Sequence, residues 1–316
     1  MTFPKPIAQI NDAPHVPLDE NVLLALISQF MRQVTFEVTR PSLADNRALG
    51  SVLMPGMEVY VTALPGRDPT ELVATAQDLV QAGLTPVPHI AARHFDSLRA
   101  VDSLLKRLHD EAGVKTIMLI GGDTGQAKGS VHDALQVIES GLIQANGIER
   151  VGLPGFPEGH PALTSEEVEW SLVSKLAALQ GAELEAYVVT QFCFDIDPIL
   201  NWLDWVRARG LTMPVRIGFA GPTSLMTWLK FASKCGVRAS AEALAKRSGL
   251  IQQAFRSVAP DPLIRALVEA KAGRAFGEVT PHIFSFGAIV PTARWAMALA
   301  QQQLRLTAEG GFEPKA

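Results

Sequence analysis

Between residues 34 and 304, short β-branched runs alternate with longer segments of helical period. The runs are VTFEVT (34–39), MEVYVTAL (57–64), TPVPHIAA (85–92), KTIMLIGGD (115–123), RVGLPGFP (150–157), EAYVVTQF (185–192), PVRIGFAG (214–221) and TPHIFSF (280–286). Between them, DPTELVATAQDLVQAG (68–83) carries Asp68 as N-cap, Pro69 at the first helical position, Glu71 two residues on and Gly83 as its stop. Leu98, Val101, Leu105 and Leu108 share one helical face, a further helix spans about 131–146, and Thr164 with Glu167 forms a capping box before the stripe Val168, Leu172, Leu176, Leu179. ILNWLDWVRARG, the extra helical segments over 224–270 and a closing helix at 291–304 complete the series. Strands that alternate with helices must pair in parallel, and eight such units at this length imply an α/β chain folded as a single (β/α)8 TIM barrel. A doubly wound open sheet would want a glycine-rich first turn, and no GxGxxG follows the first strand. Residues 1–20 read as a proline-rich irregular arm, residues 21–33 as a helix, and 21–316 as one barrel domain.

The remaining bulk properties exclude more than they select. A chain of 316 residues with 47% hydrophobic content and a net charge of −4 has an ordinary globular composition and offers no basic surface for nucleic acid. No apolar run approaches the ~18 residues of a membrane span, and the start has no apolar core of a signal peptide, so a cytoplasmic location without membrane contact is expected. Cys193 and Cys235 show no CxxC spacing and read as reduced structural thiols. Homo-oligomerisation is left open.

Barrel chemistry sits where the strands end. The polar residues expected there are Glu37, Thr62, His89, Asp123, Glu158 with His160, Gln191, and Ser285; strand seven offers Gly218, Phe219 and Gly221. Glu37 is the sharpest, because a charge inside VTFEV costs several kcal/mol unless it is paired or functional. At a dry mouth its pKa is expected to rise, which suits a general acid. His282 lies within an apolar strand and reads as a core histidine. The first strand lacks the HxH of a metal amidohydrolase, His89 and His94 have no convincing ligand spacing, and no lysine ends a strand as in a Schiff-base aldolase, so no metal is expected. GGDTGQAKGS (121–130) is a glycine loop that lets backbone approach a ligand without matching a Walker pattern, and Lys128 and Lys175 are candidate phosphate partners.

FE on strand one, PH on three, GGD on four, FPEGHP on five and TQFCFD on six, in that order, resemble the methylenetetrahydrofolate reductase family over about 34–300. The resemblance implies a flavoprotein barrel that interconverts 5,10-methylenetetrahydrofolate and 5-methyltetrahydrofolate with FAD, and with NADH or NADPH as co-substrate. It implies that Glu37 protonates the folate nitrogen, that Asp123 is a second catalytic residue near the flavin ring and the pterin that tunes both, and that Gln191 binds the pterin, with Phe219 as a second substrate contact. Thr62, His89, Gly122, Asp123, Phe156, His160 and Lys175 would line the FAD site. Four departures stand out: Gly121 replaces the arginine common before the GD of strand four, VTRP replaces FFPP, SFGA (285–288) replaces TLNR, and the spacing from Lys175 to strand six is longer. They keep alive an alternative, a flavin-free folate-dependent methyltransferase or demethylase on the same barrel.

Overall fold

Eight parallel strands close on themselves in the computed structural model, which describes residues 18–39, 41–122, 125–235, 237, 257–308 and 310–315. They are β1 (Thr35–Val38), β2 (Glu58–Val61), β3 (Thr85–Ala91), β4 (Thr116–Ile120), β5 (Arg150–Gly155), β6 (Glu185–Phe192), β7 (Val215–Ala220) and β8 (Val279–Phe284). Neighbours in sequence are neighbours in the sheet, and β1 closes the ring by pairing Phe36 with both Val59 of β2 and Ile283 of β8. The protein is a TIM barrel.

The helices are α1 (Glu20–Met31), α2 (Leu43–Val52), α3 (Glu71–Gln81), α4 (Leu98–Ala112), α5 (Ala134–Glu139), α6 (Leu142–Ala145), α7 (Ser165–Gly181), α8 (Ile196–Ala208), α9 (Leu225–Cys235), α10 (Asp261–Gly273) and α11 (Ile289–Ala300). The expected capping box of α7 is present, with Glu167 N–H donating to Thr164 Oγ1 and Thr164 N–H to Glu167 Oε2. Three expectations need correction. Asp68 caps a preceding turn through the Thr70 amide, so α3 begins only at Glu71. The segment 131–146 is two short helices, because Gly141 takes a left-handed φ of 74° and breaks the ladder. The last helix stops at Ala300, and a hairpin of Leu304–Leu306 with Phe312–Pro314 follows it. Residues 1–17 of the expected arm, Asp123, and residues 236 and 238–256 of the expected helical run lie outside the described residues.

Side chains alternate across each strand with a period of two, and this sorts the barrel into an outer and an inner layer. Phe36, Val59, Ile90, Leu119, Leu153, Val188, Ile217 and Ile283 face the helices in the main core. Tyr60, Val87, Met118, Tyr187 and Val189 fill the interior as a separate cluster. Gly152 makes room there, since a Cβ on it would lie 2.7 Å from the Tyr187 ring. At the N-terminal end of the strands Glu58 accepts from both Arg216 and Arg150, the latter at 3.1 Å. Tyr60 Oη donates to Tyr187 Oη at 2.8 Å, and Arg216 lies over the Tyr187 ring, 4.6 Å from its centroid. This network floors the N-terminal end of the barrel interior.

Candidate active site

Glu37 and Thr35 alternate inward on β1, and His282 does so on β8, so the three meet inside the barrel. Glu37 Oε2 lies 3.4 Å from His89 Nε2 and 3.7 Å from His282 Nε2. Thr62 Oγ1 donates to Glu37 Oε1 at 3.2 Å. Thr35 Oγ1 bonds His282 Nδ1 at 2.9 Å, and the His282 ring is wedged edge-on between Tyr60 and Phe284 at 4.7 and 5.0 Å. Ser285 Oγ donates to the Glu37 carbonyl at 2.7 Å and ties β1 to the end of β8.

Burial pushes the Glu37 carboxyl up, but His89, His282 and the Thr62 hydroxyl outweigh it and hold it below the ordinary glutamate value. The expected rise is therefore corrected: without ligand, Glu37 is a carboxylate. Burial holds His89 and His282 below the usual imidazole value, against the pull of Glu37. Neither Nε2 completes a hydrogen bond although both are buried. Gln191 is in a similar state: its Oε1 accepts from the Glu158 amide at 3.3 Å, while its buried Nε2 has no partner among the described residues. Incomplete polar groups of this kind, at the open end of a barrel, suit a ligand that completes them.

A second group of residues lies beyond the ends of β3 to β5. Arg93, in the 3-10 turn Ala92–His94, donates its backbone N–H and its Nε to the Gly121 carbonyl at 3.0 and 3.2 Å. His160 stands edge-on to Phe156 at 4.9 Å and accepts from the Ala162 amide at 3.2 Å. Burial lowers the His160 pKa, and the charges of Arg93 and Lys175 lower it further. Burial likewise lowers that of Lys175, with Asp133 opposing and Arg93 adding to the shift. Lys175 makes no ion pair among the described residues, whereas Lys128 meets Asp96 at 3.0 Å on the surface. Gly122, with φ of 97°, runs close under the His94 ring.

Most of the residues expected at the site thus fall into two clusters at one end of the barrel. Glu37, Thr62, His89 and Gln191 mark the mouth, and Gly122, Phe156, His160 and Lys175 lie along β4, β5 and α7. Phe219 does not join them. It is fully buried in the outer layer, edge-on to Phe30 of α1 at 6.3 Å, because Gly218 on β7 takes the inward position. The reading as a substrate contact is corrected accordingly. His282 is buried, as expected of a core histidine, and alternation, with Thr280, His282 and Phe284 on the inward face, brings it beside Glu37. Cys193 is buried with its thiol pushed up by burial and by Glu158, as befits an unreactive sulfur. No group of three or more His, Cys, Asp or Glu among the described residues is disposed to hold a metal ion.

Fold and site together define a (β/α)8 barrel protein whose buried acid–histidine cluster opens at the C-terminal ends of the strands. Residues 56–252 match the family model for methylenetetrahydrofolate reductase, and the chain belongs to that family. The match begins at the doorstep of β2, so Glu37 and His282 lie outside it. Among curated relatives, methylenetetrahydrofolate reductase 2 of Saccharomyces cerevisiae is 27% identical over 171 residues, which is 52% of this chain and 27% of that protein. Methylenetetrahydrofolate reductase 1 of Schizosaccharomyces pombe is 29% identical over 189 residues, 55% of this chain and 29% of that protein. The 5,10-methylenetetrahydrofolate reductase of Pectobacterium carotovorum is 26% identical over 159 residues, 50% of this chain and 51% of that one. The chain therefore spans between about a quarter and a half of the curated relatives it matches. An uncharacterised Clostridium thermocellum protein that binds two copies of 5-methyl-5,6,7,8-tetrahydrofolic acid shares the fold, with a TM-score of 0.54 at 11% identity, over 87% of this chain and 97% of that one. No helix among the described residues is long and apolar enough to cross a membrane.

Proposed function

We propose that the chain is an FAD-dependent oxidoreductase that interconverts 5,10-methylenetetrahydrofolate and 5-methyltetrahydrofolate, with NADH or NADPH as co-substrate. The observation that carries this reading is Glu37, a carboxylate buried at the mouth between Thr62, His89 and His282. The residues fit the group the family uses: the buried Gln191 amide still needs a partner, as a flavin or pterin edge would supply. When bound, the flavin carries out the hydride chemistry.

The chain's own residues do the rest. Gln191 orients the pterin through its unpartnered amide. Thr62 and Ser285 fix the Glu37 side chain and backbone, so that its carboxyl is held at one place on the mouth. Glu37 hands a proton to the folate nitrogen as the methylene-bridged ring opens. It is ionised in the open mouth, with 15% of its side chain exposed. A planar ligand seated over it strips that remaining water, which favours the neutral acid. His282, held by Thr35, and His89 flank the carboxyl at 3.7 and 3.4 Å and wall it on the barrel side. Phe156 and His160 present an aromatic edge along the cofactor's path.

The test is direct. The purified chain should carry visible flavin absorption, or bind added FAD by calorimetry. At a free concentration of about 100 times the dissociation constant, FAD should stabilise the fold by roughly 2.7 kcal/mol. A colourless chain that shows neither heat nor a thermal shift with FAD or FMN, yet binds 5-methyltetrahydrofolate, would sink this reading in favour of flavin-free methyl transfer.

A further inference from the structure

The loop after β5 has a second face. Side chains alternate along the strand, so Val151, Leu153 and Gly155 turn outward to the helices. A Cβ on Gly155 would lie 2.8 Å from Val188 Cγ1 and 3.0 Å from Trp202 Cζ2, so that position carries no side chain. Beside it a cavity of about 220 Å³ opens between the loop, α7 and α8, on the far side of β5 from the Glu37 mouth. Trp202 and Trp205 of α8, Leu172 of α7 and Pro157 of the loop make its walls apolar and largely aromatic. Glu169 is the one charged residue that lines it, and Asn201 adds an amide at the rim. Glu169 Oε2 accepts from Arg209 Nη2 at 3.4 Å, and among the described residues it has no other partner. The Arg209 guanidinium also lies over the Trp205 ring, 4.2 Å from its centroid. The fold thus already sets one organic cation against this indole and this carboxylate, and Glu169 keeps an oxygen for another. An aromatic face and a carboxylate both attract positive charge. An apolar cavity of roughly 150 Å³ holds one benzene ring, so this one has room for a ring and a short arm.

We propose that the cavity between α7 and α8 is a second ligand site, for a small organic cation of the arylalkyl-ammonium class. Its apolar body packs against Trp202, Leu172 and Pro157, and its ammonium donates to Glu169 beside the Trp205 ring. The site is separate from the barrel mouth, and the inference does not depend on the flavin reading above.

The experiment is calorimetry on the full chain at pH 7 with three probes of one shape: 2-phenylethylammonium, neutral 2-phenylethanol and anionic 3-phenylpropanoate. The ammonium should saturate one site per chain with a dissociation constant on the order of 1 mM, as about ten heavy atoms allow. It should bind at least about tenfold tighter than the alcohol, and the carboxylate should not bind. Glu169→Gln keeps the shape and removes the charge, so it should bring the ammonium down to the affinity of the alcohol and leave the alcohol unchanged. Val168→Phe, which fills the cavity from α7, should abolish binding of both. Glu37→Gln should change neither, because the mouth lies across β5. Equal affinity for ammonium and alcohol, a preference for the carboxylate, or an ammonium preference that survives Glu169→Gln would each overturn the assignment. So would binding that persists in Val168→Phe, or a preference lost in Glu37→Gln, which would put the probe in the mouth. No saturable binding of the ammonium up to about 10 mM would remove the site.

Discussion

At the N-terminal end of the barrel Glu58 meets two arginines and sits among two tyrosine hydroxyls, each with a partner. At the C-terminal end Glu37 meets two histidines and one threonine, and the imidazole Nε2 atoms and the Gln191 amide are left incomplete. The chemistry is similar and the state of completion is opposite. A closed network in a low-dielectric interior holds structure, since every charge is answered. An open one is costly to the fold and is kept only where something else completes it. The difference sets the residues that close one end of this barrel apart from those left open at the other.

The largest effect should come from breaking the closed end. Arg216→Met leaves the buried Glu58 carboxylate with only the more exposed Arg150, and should destabilise the fold by about 3–5 kcal/mol in urea denaturation. Gln191→Leu, at the open end, should change stability by less than about 1 kcal/mol while lowering ligand affinity, because it removes a donor that has no partner in the free protein. Similar stability losses at both ends would erase the contrast.

The two ends should also part company in pH. Burial lowers the His282 pKa, so the unfolded chain takes up that proton first. The stability it contributes is present above the unfolded value of about 6.5 and is lost as pH falls below it. Glu58 is pushed up by burial but held lower by Arg216 and Arg150. Its contribution is present above about 4.3 and is lost only as pH falls further, through the folded value. Denaturation midpoints between pH 7 and pH 5 should therefore flatten in His282→Gln and keep their slope in Glu58→Gln. The reverse pattern would mean that the mouth histidine is not held neutral. The smallest effect is expected from Lys128→Ala, whose exposed partner Asp96 leaves stability within about 1 kcal/mol and flavin affinity unchanged.

Much of this division was legible in the sequence. Eight β-branched runs with helices between them leave a parallel barrel as the simplest closed arrangement, and the strand ends then name Glu37, Thr62, His89 and Gln191 as neighbours. Phe219 was misplaced because strand ends were read without asking which face each residue takes. Counting by twos from Arg216 turns Phe219 outward, and counting from Thr280 turns His282 inward. The broken helix at Gly141 and the hairpin after Ala300 depend on local backbone and tertiary packing that periodicity does not encode.

Glu37→Gln tests the proposed division of labour most directly, since it keeps size and hydrogen bonding while removing the acid. Stopped-flow measurement separates reduction of the bound flavin by NADH or NADPH from its reoxidation by 5,10-methylenetetrahydrofolate. The first step should be near wild type, and the second should slow by roughly 10²–10⁴-fold, as expected for a lost general acid. Equal slowing of both steps would make Glu37 a wall of the flavin pocket, and an unaltered second step would remove it from the reaction.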